Sequence, residues 1–203
     1  MHPEILNSNQ KEIIPFLLDL KKDFYLVGGT AIALQIGHRE SIDFDYFTFK
    51  KVKNEAISKA LIKRFGSYRL LFSDSESFYV IVNDVKLTFF QYPFPIPSEM
   101  RFEGIKMPKL LELAAMKAYA ICRRSKWKDY VDLYFLLKDY FSRDQVEVRT
   151  SELFGELFSP KLFRQQLSYF QDIDYSEEVQ YLPGREVSEV TVKGYLTDVS
   201  LLF

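Results

Sequence analysis

The run Phe24-Tyr25-Leu26-Val27, cut off by Gly28-Gly29, constrains this chain more than any other stretch. Four apolar residues bounded by glycines read as a short buried strand. Thr30 to Ile36 then reads as a short helix that Gly37 stops, so the glycine pair occupies a strand-to-helix turn. The polar loop His38-Arg39-Glu40-Ser41 leads into a second predicted strand over Ile42–Phe49, which carries Asp43 and Asp45. Strand, Gly-Gly, helix, loop and acidic strand follow one another within 26 residues of chain, Phe24 to Phe49.

The rest of the chain falls into two kinds of periodicity. A helix is predicted over 8–21, with Ser8 as its cap and Pro15 either bending it or marking its beginning. A second amphipathic helix is expected over 54–65, with Ile57, Ala60, Leu61 and Phe65 on one face. Tyr68–Phe72, Phe78–Val82 and Val85–Phe90 read as strands, the last two joined by the hairpin pair Asn83-Asp84. The proline-rich Tyr92–Pro97 closes this β section. After Pro108 the pattern becomes helical, to about Cys122 and again from about Lys126 to Phe141. A later helix opens at Ser159-Pro160, a cap followed by proline at the first helical position. The division expected is an α/β core over 1–105 and a helical lobe over 106–203, packed as one structural unit because no linker composition separates them.

Composition excludes several classes. Net charge is −1, so no global field recruits nucleic acid, and such binding needs a local patch. Cys122 is the only cysteine, which rules out an internal disulfide framework and reads as a small buried helical residue. No apolar run reaches the ~18–20 residues of a membrane span, and Met1-His2-Pro3-Glu4 lacks the regions of a signal peptide. The expectation is a cytoplasmic protein with no membrane partner. The 19 Phe and 13 Tyr promise a well-packed interior.

Two carboxylates at i and i+2 on a strand project from one face, with Phe44 turned into the packing. Held that close they repel unless a cation lies between them, and oxygen donors of this kind suit Mg²⁺. Glycines at a helix start let a phosphate approach backbone N–H groups where the helix dipole is favourable. Each piece has a plainer reading: a tight turn for Gly28-Gly29, and a solvated strand rim for Asp43 and Asp45.

Together, Gly28-Gly29-Thr30-Ala31 and the later Arg39-x-Ser41-x-Asp43-x-Asp45 resemble the signature of the AbiEii/AbiGii-type nucleotidyltransferases. That family lies in the polymerase-β-like superfamily and includes the toxins of type IV toxin–antitoxin systems. The resemblance continues through Val85–Phe90, Lys117 and Arg124-x-Lys126-x-Lys128-Asp129-x-x-Asp132-Leu133, covering roughly residues 24–137. It implies an α+β nucleotidyltransferase fold, a mixed sheet flanked by helices with a helical C-terminal lobe. It implies transfer of a nucleoside monophosphate from an NTP to an acceptor hydroxyl on RNA (tRNA) or protein, with a cognate antitoxin as a further partner. Asp43 and Asp45 would hold Mg²⁺. Lys117 and Asp129 would complete the catalytic set. Gly28, Gly29, Thr30, Arg39, Ser41 and Lys126 would bind the nucleotide.

One position departs from the family. Its late strand carries an acidic residue where this chain has Thr88. Threonine offers a neutral oxygen and cannot act as a base near neutral pH. Asp84 cannot stand in, because four residues along a strand span ~13 Å. A catalytically degenerate member that binds nucleotide, RNA or protein is therefore the alternative reading. Plainer readings also stand beside the other candidates. Lys117 could be a lysine at a face edge that snorkels to water. Arg123, Arg124, Lys126 and Lys128 could be a solvated helix junction, and Asp129 and Asp132 could belong to salt bridges with these bases. His38 has no second His or Cys near it in sequence and is not expected to bind metal.

Overall fold

The computed structural model describes residues 1–202. The chain forms two compact units: Met1–Ile36 with Ser41–Lys109, and Gly37–Glu40 with the chain from Leu110 onward.

The first unit opens with a 3-10 turn at Pro3–Ile5 and helix α1 (Ser8–Asp19). Asn7, not Ser8, caps α1: its side chain accepts from Gln10 N–H while the Gln10 side chain accepts from Asn7 N–H. Pro15 lies inside this helix. Strand β1 (Tyr25–Val27) runs directly into α2 (Gly28–Ile36), and β2 (Phe44–Thr48) follows. Next come α3 (Asn54–Phe65), β3 (Arg69–Ser73), β4 (Ser77–Val82) and β5 (Val85–Gln91). The five strands form one mixed sheet in the order β1-β2-β5-β4-β3, with β2 and β5 parallel and every other pair antiparallel.

Asn83 and Asp84 both adopt positive φ, 47° and 61°, as a tight two-residue hairpin requires. A second hairpin, β6 (Met100–Phe102) with β7 (Ile105–Met107), turns at Glu103-Gly104 and had no strand signal in the sequence. Three residues per strand are too few for alternation to register.

One face of the main sheet is sealed. Phe44, Tyr46, Leu87, Phe89 and Val80 are fully buried there. Phe24 stacks on Tyr46 at 5.6 Å, while Phe89 meets Phe16 and Phe24 edge to face. The Tyr46 hydroxyl donates to the Leu17 carbonyl at 2.9 Å, which satisfies its buried polar end.

The second unit contains α4 (Leu110–Ile121), α5 (Trp127–Asp139), α6 (Arg143–Phe154), α7 (Pro160–Leu167) and α8 (Glu189–Leu201), with a 3-10 turn at Gly155–Leu157. Ser159 accepts from Leu162 N–H at the start of α7, in the cap position its sequence predicts. Cys122 lies just past α4, half-buried, and its thiol donates to the Ala118 carbonyl; burial pushes its pKa up to about 11. The tetrapeptide Gly37–Glu40 is held within this unit by backbone bonds: Glu40 N–H donates to the Gln180 carbonyl at 2.8 Å and Leu182 N–H to the His38 carbonyl at 3.3 Å.

Candidate active site

In the first unit, the glycine turn and the acidic strand meet. Gly28 has φ of +72°, and a β-carbon added there would fall 2.3 Å from the Asp45 carboxylate oxygen. Glycine is thus required twice over, by backbone conformation and by space. Asp45 is register partner to Val27 on β1 and to Thr88 on β5, so all three side chains leave the sheet on one face. Asp45 is half-exposed and has no ion-pair partner among the described residues. Thr88 is 8% exposed beside it.

Asp43 lies one residue before β2, so strand alternation does not place it as the sequence suggested. Side chains hold it instead. The Thr30 hydroxyl donates to the Asp43 carbonyl and bonds the Ser41 hydroxyl at 2.8 Å, and Gln10 donates to the Ser41 carbonyl at 2.7 Å. Thr30 is buried, and its hydroxyl serves the loop. Gln10 was not a sequence candidate; its pairing with Ser41 spans 31 residues and leaves no local signal.

The other candidates gather in the second unit. Lys117, on α4, is 6% exposed, and the snorkelling alternative fails. Its ammonium bonds Asp129 and reaches Asp132 at 2.8 Å. Asp132 is fully buried and serves as a hub. Arg39 grips it bidentately, Nε at 2.7 Å and Nη2 at 3.0 Å, and His38 Nε2 lies 2.7 Å from its Oδ1. Arg124 donates to Asp129 at 2.9 Å.

Burial alone would raise the Asp132 pKa, but Arg39, Lys117 and the His38 bond hold it well below the ordinary carboxylate value. Burial likewise opposes the shift of Lys117, whose pKa is raised by Asp129 and Asp132. Burial pushes His38 below its usual value despite the carboxylate beside it, so His38 is neutral and its Nε2–H donates to Asp132. Its Nδ1 is buried without a partner among the described residues.

Lys126 and Lys128 both bond Glu177, whose pKa falls to about 2 against its own desolvation. Arg123 stacks over Tyr119 and donates to the Leu157 carbonyl. Every member of the basic cluster therefore has a partner within its own unit. Among the described residues, no group of three or more His, Cys, Asp or Glu could hold a metal ion.

Residues 17–181 match the family described as nucleotidyl transferase AbiEii toxin, type IV TA system. The chain belongs to the AbiEii family. An Aquifex aeolicus protein, described only as uncharacterized, is 30% identical to this AbiEii-family chain over 201 residues, covering 91% of the chain and 97% of the relative. Two solved structures share its fold at low identity. Helicobacter pylori JHP933 has a TM-score of 0.59 at 18% identity, covering 98% of this chain and 90% of its own. MenT4, a nucleotidyltransferase toxin of Mycobacterium tuberculosis, has a TM-score of 0.61 at 12% identity, covering 94% and 80%. The architecture is thus the nucleotidyltransferase fold expected from the sequence, mixed sheet and flanking helices included. Among the described residues no helix is long and apolar enough to cross a membrane.

Proposed function

We propose that this AbiEii-family protein transfers a nucleoside monophosphate from an NTP to an acceptor hydroxyl in the cytoplasm, as the toxin of a type IV pair with a cognate antitoxin. The observation that carries the reading is the contact of Gly28 with the Asp45 carboxylate. A phosphate resting on the backbone N–H groups at the start of α2 comes next to the oxygens that would hold its counter-ion.

The donor set fits Mg²⁺, which takes one or two carboxylates and completes its shell with phosphate oxygens and water. Asp43 and Asp45 would hold it, and the ion would neutralise charge building on the phosphate oxygens during in-line displacement. Gly28 and Gly29 supply the close backbone approach. Thr30, Ser41 and Gln10 keep the Asp43 loop in place. In the transfer, the acceptor oxygen bonds to the α-phosphorus and pyrophosphate leaves with the electrons of the broken bond. Thr88 cannot take the hydroxyl proton, which would pass instead to Asp45, the carboxylate paired with that position. Lys117 and Asp129, assigned to catalysis by resemblance, bond each other within the second unit, where Asp132 also keeps the ammonium charged. Arg39 and Lys126, assigned to nucleotide by resemblance, would act through the carboxylates they bond.

Thr88 favours a second reading, a protein that binds nucleotide without turnover. Incubation with each radiolabelled NTP, Mg²⁺ and total cellular RNA or protein separates the two. Slow wild-type transfer that Thr88→Asp accelerates and Asp45→Asn abolishes would support the first. Magnesium-dependent NTP binding without label transfer from either form would establish the second. Loss of neither binding nor transfer in Asp45→Asn would remove the basis for both.

A further inference from the structure

The sheet face that carries Asp45 also carries aromatic rings. Asp45 pairs with Thr88 and Phe47 with Phe90, so these four side chains share a face. Tyr92 extends it, since its N–H donates to the Thr48 carbonyl at 2.8 Å and continues the ladder past β5. Phe47 lies 5.3 Å from Phe90 and 5.1 Å from Tyr92, and Tyr92 lies 5.3 Å from Phe94. All four rings are half-exposed, whereas the opposite face of the same strands is sealed. On the other side of Thr88, its partner Tyr79 meets Phe72 at 5.5 Å.

Two features indicate what such a face would hold. Lys86 pairs with Ile81, which pairs with Arg69, so a cationic row runs beside the row containing Asp45 and Thr88. Tyr25 pairs with Phe47 and leaves the sheet on the aromatic side. It is only 7% exposed, yet its hydroxyl has no hydrogen-bond partner among the described residues. Buried hydroxyls are normally satisfied, and an orphan beside half-exposed rings suits a ligand with polar edges.

Phe90 and Tyr92, two residues apart, hold their ring centres 6.2 Å apart, a spacing that an extended polynucleotide can follow base by base. Aromatic faces flanked by cations are the way a sheet holds unpaired bases without reading duplex. A peptide partner would leave the cationic row without a purpose. We propose that Phe47, Phe90 and Tyr92 form a stacking platform for unpaired bases of a single-stranded nucleic acid, with Lys86 and Arg69 along its phosphates. The assignment of that strand as acceptor rests on the nucleotidyl-transfer reading, because the platform adjoins Asp45 and Thr88. The platform itself does not.

The test is fluorescence anisotropy on the full chain with a labelled 12-nucleotide RNA that cannot pair, against a duplex of the same length. Phe47→Leu and Phe90→Leu keep apolar volume and remove the π face. Wild type should prefer the single strand at least tenfold, and each leucine variant should weaken binding by roughly five- to tenfold, with melting temperature nearly unchanged. Lys86→Gln should lower the salt slope of binding by about one. Leucine variants that bind like wild type, or a wild type that prefers duplex or binds neither, would overturn the platform. So would leucine variants that keep RNA affinity and lose Mg²⁺-dependent NTP binding in calorimetry, since the rings would then hold the nucleotide's own base. RNA binding by a chain that binds no NTP would uphold the platform and end the transfer reading.

Discussion

In the first unit Asp45 faces no cation, whereas in the second Asp132 is surrounded by basic groups. Asp45 is half-exposed with no ion-pair partner among the described residues, while Asp132 is sealed inside a ring of Arg39, Lys117 and His38. Both regions concentrate acidic and basic chemistry, so a sequence motif alone cannot rank them. The difference lies in where the compensating charge comes from. Asp132 draws it from its own unit, and its contribution is rigidity. Asp45 has no such source among the described residues, and on the proposed reading a bound ligand would supply it.

The comparison predicts opposite responses to mutation. The largest effect belongs to Asp132→Ala, which strands buried Arg39 and Lys117 without their partner. It should cost about 3–5 kcal/mol in urea unfolding, and an effect under about 1 kcal/mol would mean the hub is solvated in solution. Gly28→Ala comes next. The +72° backbone and the collision with Asp45 should cost roughly 1–3 kcal/mol, measured by the same unfolding curves. Gly28→Ala paired with Asp45→Ala should recover the steric part of that loss and keep the conformational part.

Asp45→Asn stands at the other end, with stability changed by less than about 1 kcal/mol and transfer reduced by two or more orders of magnitude. A large loss of stability would place Asp45 with Asp132 as architecture.

The smallest effect is in the pH profile. Folded His38 binds its proton more weakly than the unfolded chain does, so stability should begin to fall as pH drops below about 6.5. Asp132, depressed in the folded state, adds stability above about pH 4 that is lost as pH falls toward its lower folded value. His38→Gln should flatten the first slope and Asp132→Asn the second. Chemical denaturation at half-unit pH steps would show whether the two losses separate.

The turn at Gly28-Gly29 between β1 and α2 was legible because it is local: a strand, a turn and a helix adjoin in the chain. The hairpin at Asn83-Asp84 was legible for the same reason. The hub was not. Asp132 and Asp129 showed as neighbours of a basic cluster, but the side chains that make Asp132 a hub come from His38 and Arg39, 94 and 93 residues away. Lys117 at an apolar face edge looks the same in sequence whether it reaches water or a buried carboxylate. Asp43 illustrates a different limit. Its spacing from Asp45 matched a strand, yet β2 begins one residue later and the brace from Thr30 and Gln10 replaces strand geometry.

The tetrapeptide Gly37–Glu40 has a consequence for how this chain can vary over descent. It is encoded between α2 and the Asp43–Asp45 segment, but its Arg39 is matched to Asp132 and its backbone to Gln180 and Leu182. A crossover that exchanged everything after residue 109 would import a foreign Asp132 environment while keeping the old His38 and Arg39. Such hybrids would carry an ill-matched buried charge, so lineages should inherit these four residues together with the distant helices. Shuffling experiments that swap the C-terminal half should recover folded proteins chiefly when residues 37–40 travel with it.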